Sequence, residues 1–151
     1  MRCVIQRVSR AKVSIRGVLS GEIGKGLVVL VGMKSGDDYA AINYIIDKII
    51  NMRVFEDDGG KMNLSVNDCG GSILIVPNFT LYGDARKGRR PSYADGAPSE
   101  EARVIFDMFY HKFKEYYNKE NLASGVFQED MELELINDGP VTILLDSEKL
   151  F

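Results

Sequence analysis

The sequence predicts an α+β domain, a mostly antiparallel, barrel-like β-sheet with two helices packed on it. Three observations predict it. Residues 1–32 alternate and turn like strands; two later segments carry apolar stripes at helical spacing; and the last twenty residues return to strand patterning.

Each element can be justified in order. Cys3, Ile5 and Arg7 oppose Val4, Gln6 and Val8, so one face can be buried and the other mixed. Val13-Ser14-Ile15-Arg16 alternates again, Gly17 permits a turn, and residues 18–23 run back as a hairpin. Gly26-Leu27-Val28-Val29-Leu30-Val31-Gly32 is an unbroken apolar run rich in β-branched residues, which suits a central strand covered on both faces. Asp37 and Asp38 then open a helix, with Ile42, Ile45, Ile46, Ile49 and Ile50 on one stripe. Arg53-Val54-Phe55-Glu56 reads as a short strand and Asp57-Asp58-Gly59-Gly60 as a turn. Gly71-Ser72-Ile73-Leu74-Ile75-Val76 is a buried strand stopped by Pro77. Residues 83–98 form a long loop, a length that in compact domains often serves function. Ser99-Glu100-Glu101 starts a second helix, with Ala102, Ile105, Phe106, Phe109, Phe113 and Tyr116 on its buried stripe and Gly125 beyond its end. Residues 131–137 and 140–146 read as two final strands around the turn Asp138-Gly139-Pro140.

The chain has 151 residues, and no repeat, linker or low-complexity segment divides it, so residues 1–151 are taken as one domain. Net charge is −3, which excludes a uniformly basic nucleic-acid binder but not a local basic patch. Two distant cysteines, Cys3 and Cys69, fit a reduced compartment better than a disulfide scaffold. One histidine, His111, and no close cysteine pair argue against zinc. The longest clean apolar run falls far short of the ~20 residues that cross a bilayer. A cytoplasmic protein with no membrane partner, no metal and no cofactor is expected.

The usual chemical signatures are missing. A single histidine, read as a surface residue of the second helix, cannot serve a Ser-His-Asp arrangement, and Gly21-Glu22-Ile23-Gly24-Lys25-Gly26 has the wrong spacing for a phosphate loop. Three segments exceed what local structure needs. Pro77-Asn78-Phe79-Thr80-Leu81-Tyr82 leaves a buried strand, where Thr80 can donate a hydrogen bond or act as nucleophile, or simply bond to its own backbone. Asn137-Asp138-Gly139-Pro140-Val141-Thr142 reads as an ordinary hairpin turn, yet a proline after Asp-Gly is an unusual choice there. Arg86-Lys87-Gly88-Arg89-Arg90 puts four cations in five residues, fit for phosphates or for a solvated loop.

At these residues the chain resembles the D-aminoacyl-tRNA deacylases, dimeric chirality-checking enzymes of translation. The likeness lies in the opening Met1-Arg2-Cys3-Val4-Ile5-Gln6-Arg7-Val8-Ser9-Arg10-Ala11, in Phe79-Thr80-Leu81-Tyr82-Gly83-Asp84 followed by Arg86-Lys87-Gly88-Arg89-Arg90-Pro91-Ser92, and in Asn137-Asp138-Gly139-Pro140-Val141-Thr142. One departure is clear: the family usually has Ser-Gln where this chain has Pro77-Asn78. A proline there also resembles the related animal deacylase, whose chirality is relaxed.

The resemblance implies a homodimer that cleaves the ester of D-aminoacyl-tRNA, and of glycine mischarged on alanine tRNA, with the terminal ribose 2′-hydroxyl assisting. It implies that backbone N–H groups of Phe79 and Thr80 form the oxyanion site, with Asn78 among the residues that bind the substrate and select its chirality. It implies a Gly-cisPro selector, Gly139 and Pro140, inserted across the subunit boundary, held by Arg7 and oriented by Thr142. Arg86, Lys87, Arg89 and Arg90 would touch tRNA phosphates. A non-catalytic tRNA-binding module and a threonine-nucleophile hydrolase are the competing expectations.

Overall fold

The computed structural model describes residues 1–151. Strand β1 (Arg2–Ile15) is the axis of the fold. β2 (Val18–Ile23) and β3 (Gly26–Gly32) pair antiparallel with successive stretches of it, and β8 (Met131–Asp146) pairs antiparallel along nearly its whole length. β6 (Ser72–Pro77) lies parallel to β3, and β7 (Leu122–Ser124) parallel to β6. The sheet is therefore mixed rather than purely antiparallel. It curls until Gly21 of β2 lies against Ala123 and Ser124 of β7, leaving a nearly closed barrel. A two-stranded arm, β4 (Phe55–Glu56) with β5 (Met62–Leu64), stands apart.

Local chemistry fixes the turns. Arg16 and Gly17 both take positive φ, the conformation that tightens a two-residue hairpin. Gly26 is obligatory, since a Cβ there would sit 1.8 Å from the Ser72 carbonyl oxygen. Helix α1 (Tyr39–Asn51) starts where Asp38 accepts from the Ala41 N–H at 2.9 Å, as an N-cap should. Helix α2 (Ser99–Tyr116) has no side-chain cap, but Glu100 and Glu101 occupy its first turn. Glu101 also reaches back to the Ser35 hydroxyl at 2.8 Å.

Two cores follow from the alternation of the central strands. Leu27, Val29 and Val31 join Ile73, Ile75, the isoleucines of α1 and the aromatics of α2 on one side. Val28, Leu74 and Val76 join Val8, Val13 and Ile23 inside the curl. The run at residues 26–32 is covered on both faces, as its composition requires.

Two expectations need correction. Tyr116, the last residue of α2, is exposed and Tyr117 is buried instead: four residues on from Phe113, Tyr117 still donates its N–H to the Phe113 carbonyl and so continues the buried stripe. Tyr117 sends its hydroxyl to the Gly71 carbonyl at 2.7 Å. Residues 131–137 and 140–146 are not partners in a hairpin: both halves pair with β1 in one direction. Beyond Pro77, where the strand ends as expected, residues 79–82 form a short 3₁₀ helix.

Candidate active site

The first site element is the turn after β6. Pro77 ends the strand opposite Val31, and Asn78 still donates its N–H to the Val31 carbonyl at 2.8 Å. The 3₁₀ helix η1 (Phe79–Tyr82) follows at once. The Asn78 carboxamide oxygen accepts from the Thr80 N–H at 3.0 Å and from the Thr80 hydroxyl at 2.6 Å. The Thr80 hydroxyl thus faces an amide oxygen, which is no base, and the Thr80 N–H is occupied. Phe79, at the start of the turn, keeps its N–H without a protein acceptor.

Tyr82 anchors the turn. It is buried, and the Arg2 guanidinium lies 4.6 Å from its ring centre while bonding to Asp146 at 3.0 Å. Burial pushes the Tyr82 hydroxyl pKa far above its ordinary value. Close approach is built in: a Cβ on Gly32 would meet the Asn78 carbonyl oxygen at 3.0 Å. The other end of the turn is open, with Phe79 64% exposed and packed edge-on against Tyr93 at 5.4 Å.

The cationic loop springs from the same turn. Asp84 and Ser92 exchange backbone hydrogen bonds at 2.7 and 2.9 Å, closing its base. The Asp84 carboxylate grips the Arg86 guanidinium through two bonds of 2.8 Å. Those bonds hold the Asp84 pKa down to about 2. Arg86, Lys87, Arg89 and Arg90 are all exposed.

The second element is a bulge in β8. Gln6 of β1 pairs with Thr142 and Val8 with Asn137, so Arg7 alone faces residues 138–141. Arg7 is 6% exposed. Its Nε–H donates to the Asp138 carbonyl at 2.9 Å, and Nη1 to the Val54 carbonyl at 2.5 Å. The Asn137 carboxamide donates to the Arg7 carbonyl at 2.9 Å and to the Val141 carbonyl at 3.2 Å. Gln6 donates to the Thr142 hydroxyl at 3.4 Å. Gly139 and Pro140 stand exposed at the tip, joined by a cis peptide bond.

The fold therefore gathers the expected residues into two groups. Asn78, Phe79, Thr80 and the loop carrying Arg86, Lys87, Arg89 and Arg90 form one. Arg7, Gly139, Pro140 and Thr142 form the other. They do not meet within one chain. Pro77 is level with Cys3 through Val31, whereas the bulge is level with Arg7, four residues or about 13 Å along β1. Sequence reasoning gave no role to Asn137, Gln6 or Tyr93. Asn137 was visible as the residue before Asp-Gly-Pro; the other two had no local signal.

The remaining concavities lie elsewhere. An open groove of about 530 Å³ between the helices is lined by Tyr39, Val104, Met108 and His111 among others. No three His, Cys, Asp or Glu side chains converge as metal ligands do. No helix is long and apolar enough to cross a membrane.

Comparison with known proteins matches this layout over its full extent. The D-aminoacyl-tRNA deacylase of Natranaerobius thermophilus is 53% identical over 151 residues, the whole of both chains. That of Carboxydothermus hydrogenoformans is 51% identical over 146 residues, 97% of this chain and 99% of its own. A solved c-Myc DNA unwinding element binding protein is 37% identical with a TM-score of 0.92, covering 97% of this chain and 98% of that one. A solved probable eukaryotic D-amino acid tRNA deacylase shares the fold, with a TM-score of 0.79 at 18% identity over 95% of this chain and 97% of that one. The profile described as D-Tyr-tRNA(Tyr) deacylase spans residues 4–146, from the strand that bears Arg7 through the turn at Phe79 to the far side of the bulge, and the chain belongs to that family.

Proposed function

We propose that this protein is a homodimeric editing hydrolase that cleaves the ester between a D-amino acid and the terminal ribose of tRNA, and clears glycine mischarged on alanine tRNA. The observation that carries the dimeric reading is the separation of the two site elements. A selector about 13 Å along β1 from its own turn can meet a turn only if a second copy supplies it. A partly exposed apolar row fits such a partner. Leu144, Val4 and Leu30 lie abreast on β8, β1 and β3, and Leu144 is 54% exposed.

In this reading the substrate carbonyl oxygen lies against the Phe79 N–H. That single donor favours the oxyanion of the tetrahedral intermediate, a contribution of about 3–4 kcal/mol when well aligned. Thr80 and Asn78 shape the turn rather than attack the ester. A threonine nucleophile needs a base, and the hydrogen-bond partner of the Thr80 hydroxyl is the Asn78 carboxamide oxygen, which is none. Water attack is assisted by the ribose 2′-hydroxyl, so the substrate supplies the group that the protein lacks.

Chirality is read by exclusion. Main-chain atoms of Gly139 and Pro140, held through Asp138 by Arg7, form a wall on one side of the amino-acid Cα. An L-residue drives its Cβ into that wall; a D-residue points it outward, and glycine has none. Lys87, Arg89 and Arg90, free of the pairing that engages Arg86, attract the phosphates of the bound tRNA end. The cytoplasm, where aminoacyl-tRNA is found, is the fitting compartment.

The deciding experiment is deacylation of matched D- and L-aminoacyl-tRNAs by the purified protein. Hydrolysis of the D-ester with the L-ester spared supports the reading, and equal rates refute it. A substrate ending in 2′-deoxyadenosine should be hydrolysed poorly.

A further inference from the structure

We infer that Asn137 is a positioning residue that sets the direction of the Gly139–Pro140 segment, an inference that rests on the selector role given to that segment above. Its carboxamide closes the neck of the bulge. One N–H reaches the Arg7 carbonyl on the facing strand, and the other reaches the Val141 carbonyl where β8 re-forms. Both amide hydrogens are thereby used. The amide cannot be turned over, since its oxygen would then face two carbonyl oxygens.

Two more ties act on the same segment. Arg7 holds the Asp138 carbonyl, and Gln6 reaches the Thr142 hydroxyl. With Asp138 and Val141 both fixed, Gly139 and Pro140 are the only residues left between the clamps. The Asn137 oxygen also crowds residue 139: a Cβ on Gly139 would lie 2.5 Å from it, so a side chain there would push the amide away from its two acceptors. One side chain thus ties the neck and disfavours a side chain at residue 139. The strand does not depend on it, because β8 pairs with β1 both before and after the bulge. Its consequence falls on the tip, where an error of about 1 Å can cost on the order of a hundredfold in rate or selectivity.

The test uses the full-length protein with Asn137→Asp and Asn137→Ala, assayed on matched D- and L-aminoacyl-tRNAs, alongside thermal unfolding. Asn137→Asp keeps the shape but replaces two donors with a carboxylate facing two carbonyls; Asn137→Ala removes the donors without adding charge. Leu135→Ala, on the same strand but away from the bulge, is the control for simple loss of stability. The D-to-L ratio of kcat/KM should fall by about tenfold or more in both Asn137 variants and stay near wild type in the control. KM for the D-substrate should change far less than the ratio. An unchanged ratio in folded Asn137 variants overturns the inference, as does an equal fall in Leu135→Ala. Failure of both Asn137 variants to fold overturns it too, since the amide would then be purely structural. Equal D and L rates in the wild-type protein instead defeat the selector reading beneath it.

Discussion

Arg7 donates its Nε–H to the main-chain carbonyl of Asp138 at 2.9 Å and stands 3.3 Å from the Asp138 carboxylate. The same guanidinium bonds to Val54, so one buried cation joins the β4 arm to the bulge of β8. The Asp138 carboxylate is half exposed, and its attraction is screened. The two bonds to backbone carbonyls are the durable ones.

Arg7→Ala should therefore remove both activity and selectivity, with stability reduced by about 2–4 kcal/mol for one buried and one half-buried carbonyl left without donors. Arg7→Lys should recover part of the stability but little of the selectivity. An ammonium is a compact point charge and cannot span both carbonyls as the fork does. Chemical denaturation and the D/L assay, run on the same preparations, separate the two effects.

Thr80→Ala should retain activity on D-aminoacyl-tRNA to within about tenfold, since the hydroxyl only bonds to Asn78. Asn78→Ala should cost more, because it releases both bonds that set the turn. Abolition of single-turnover hydrolysis by Thr80→Ala, with Asn78→Ala left active, would restore the nucleophile hypothesis.

Arg89 and Arg90 can be tested by salt. Replacing both with Ala should flatten the dependence of log kcat/KM on log salt by about 1–2 slope units, with the D-to-L ratio untouched. A slope equal to wild type would remove the loop from the tRNA contact surface.

Asp84 should titrate well below an ordinary carboxylate, with a midpoint of about 2 against the usual 3.8, because Arg86 stabilises its charged form. A depressed folded pKa means that the grip is fully present above about pH 4 and is lost as pH falls through about 2. Carboxyl carbon chemical shifts followed by NMR give the midpoint directly. In Arg86→Ala it should return towards 3.8.

Two glycines separate backbone need from chance. Gly26→Ala should prevent folding or force β3 away from β6, since its Cβ would overlap the Ser72 carbonyl. Gly24→Ala, with open space around it, should change stability by no more than about 0.5 kcal/mol. Circular dichroism melts of the two variants make the comparison.

Most of the elements were legible because their signals are local. The isoleucine stripe of α1, the Asp38 cap and the apolar run of β3 need no knowledge of distant residues. The missing parts depend on distant ones. Residues 131–137 and 140–146 look like a hairpin because Asp-Gly is a hairpin signal; their real partner, β1, lies more than a hundred residues upstream. β5 and β7 have three residues each, too few to show a period. Phe79 and Thr80 could be singled out as strand-end residues, but not that Asn78 would occupy the Thr80 N–H and leave that of Phe79 alone. The clamp proposed for Asn137 has no local signal, because both of its acceptors are backbone atoms brought together by the bulge.

The placement of Arg7 has a consequence for how such an editor can fail. Its cation is sealed inside the molecule that it helps to hold, so losing that side chain takes away the scaffold along with the discrimination proposed for the bulge. In the selector reading, a truncation there yields less folded enzyme, rather than an indiscriminate esterase loose among the charged tRNAs that every ribosome consumes.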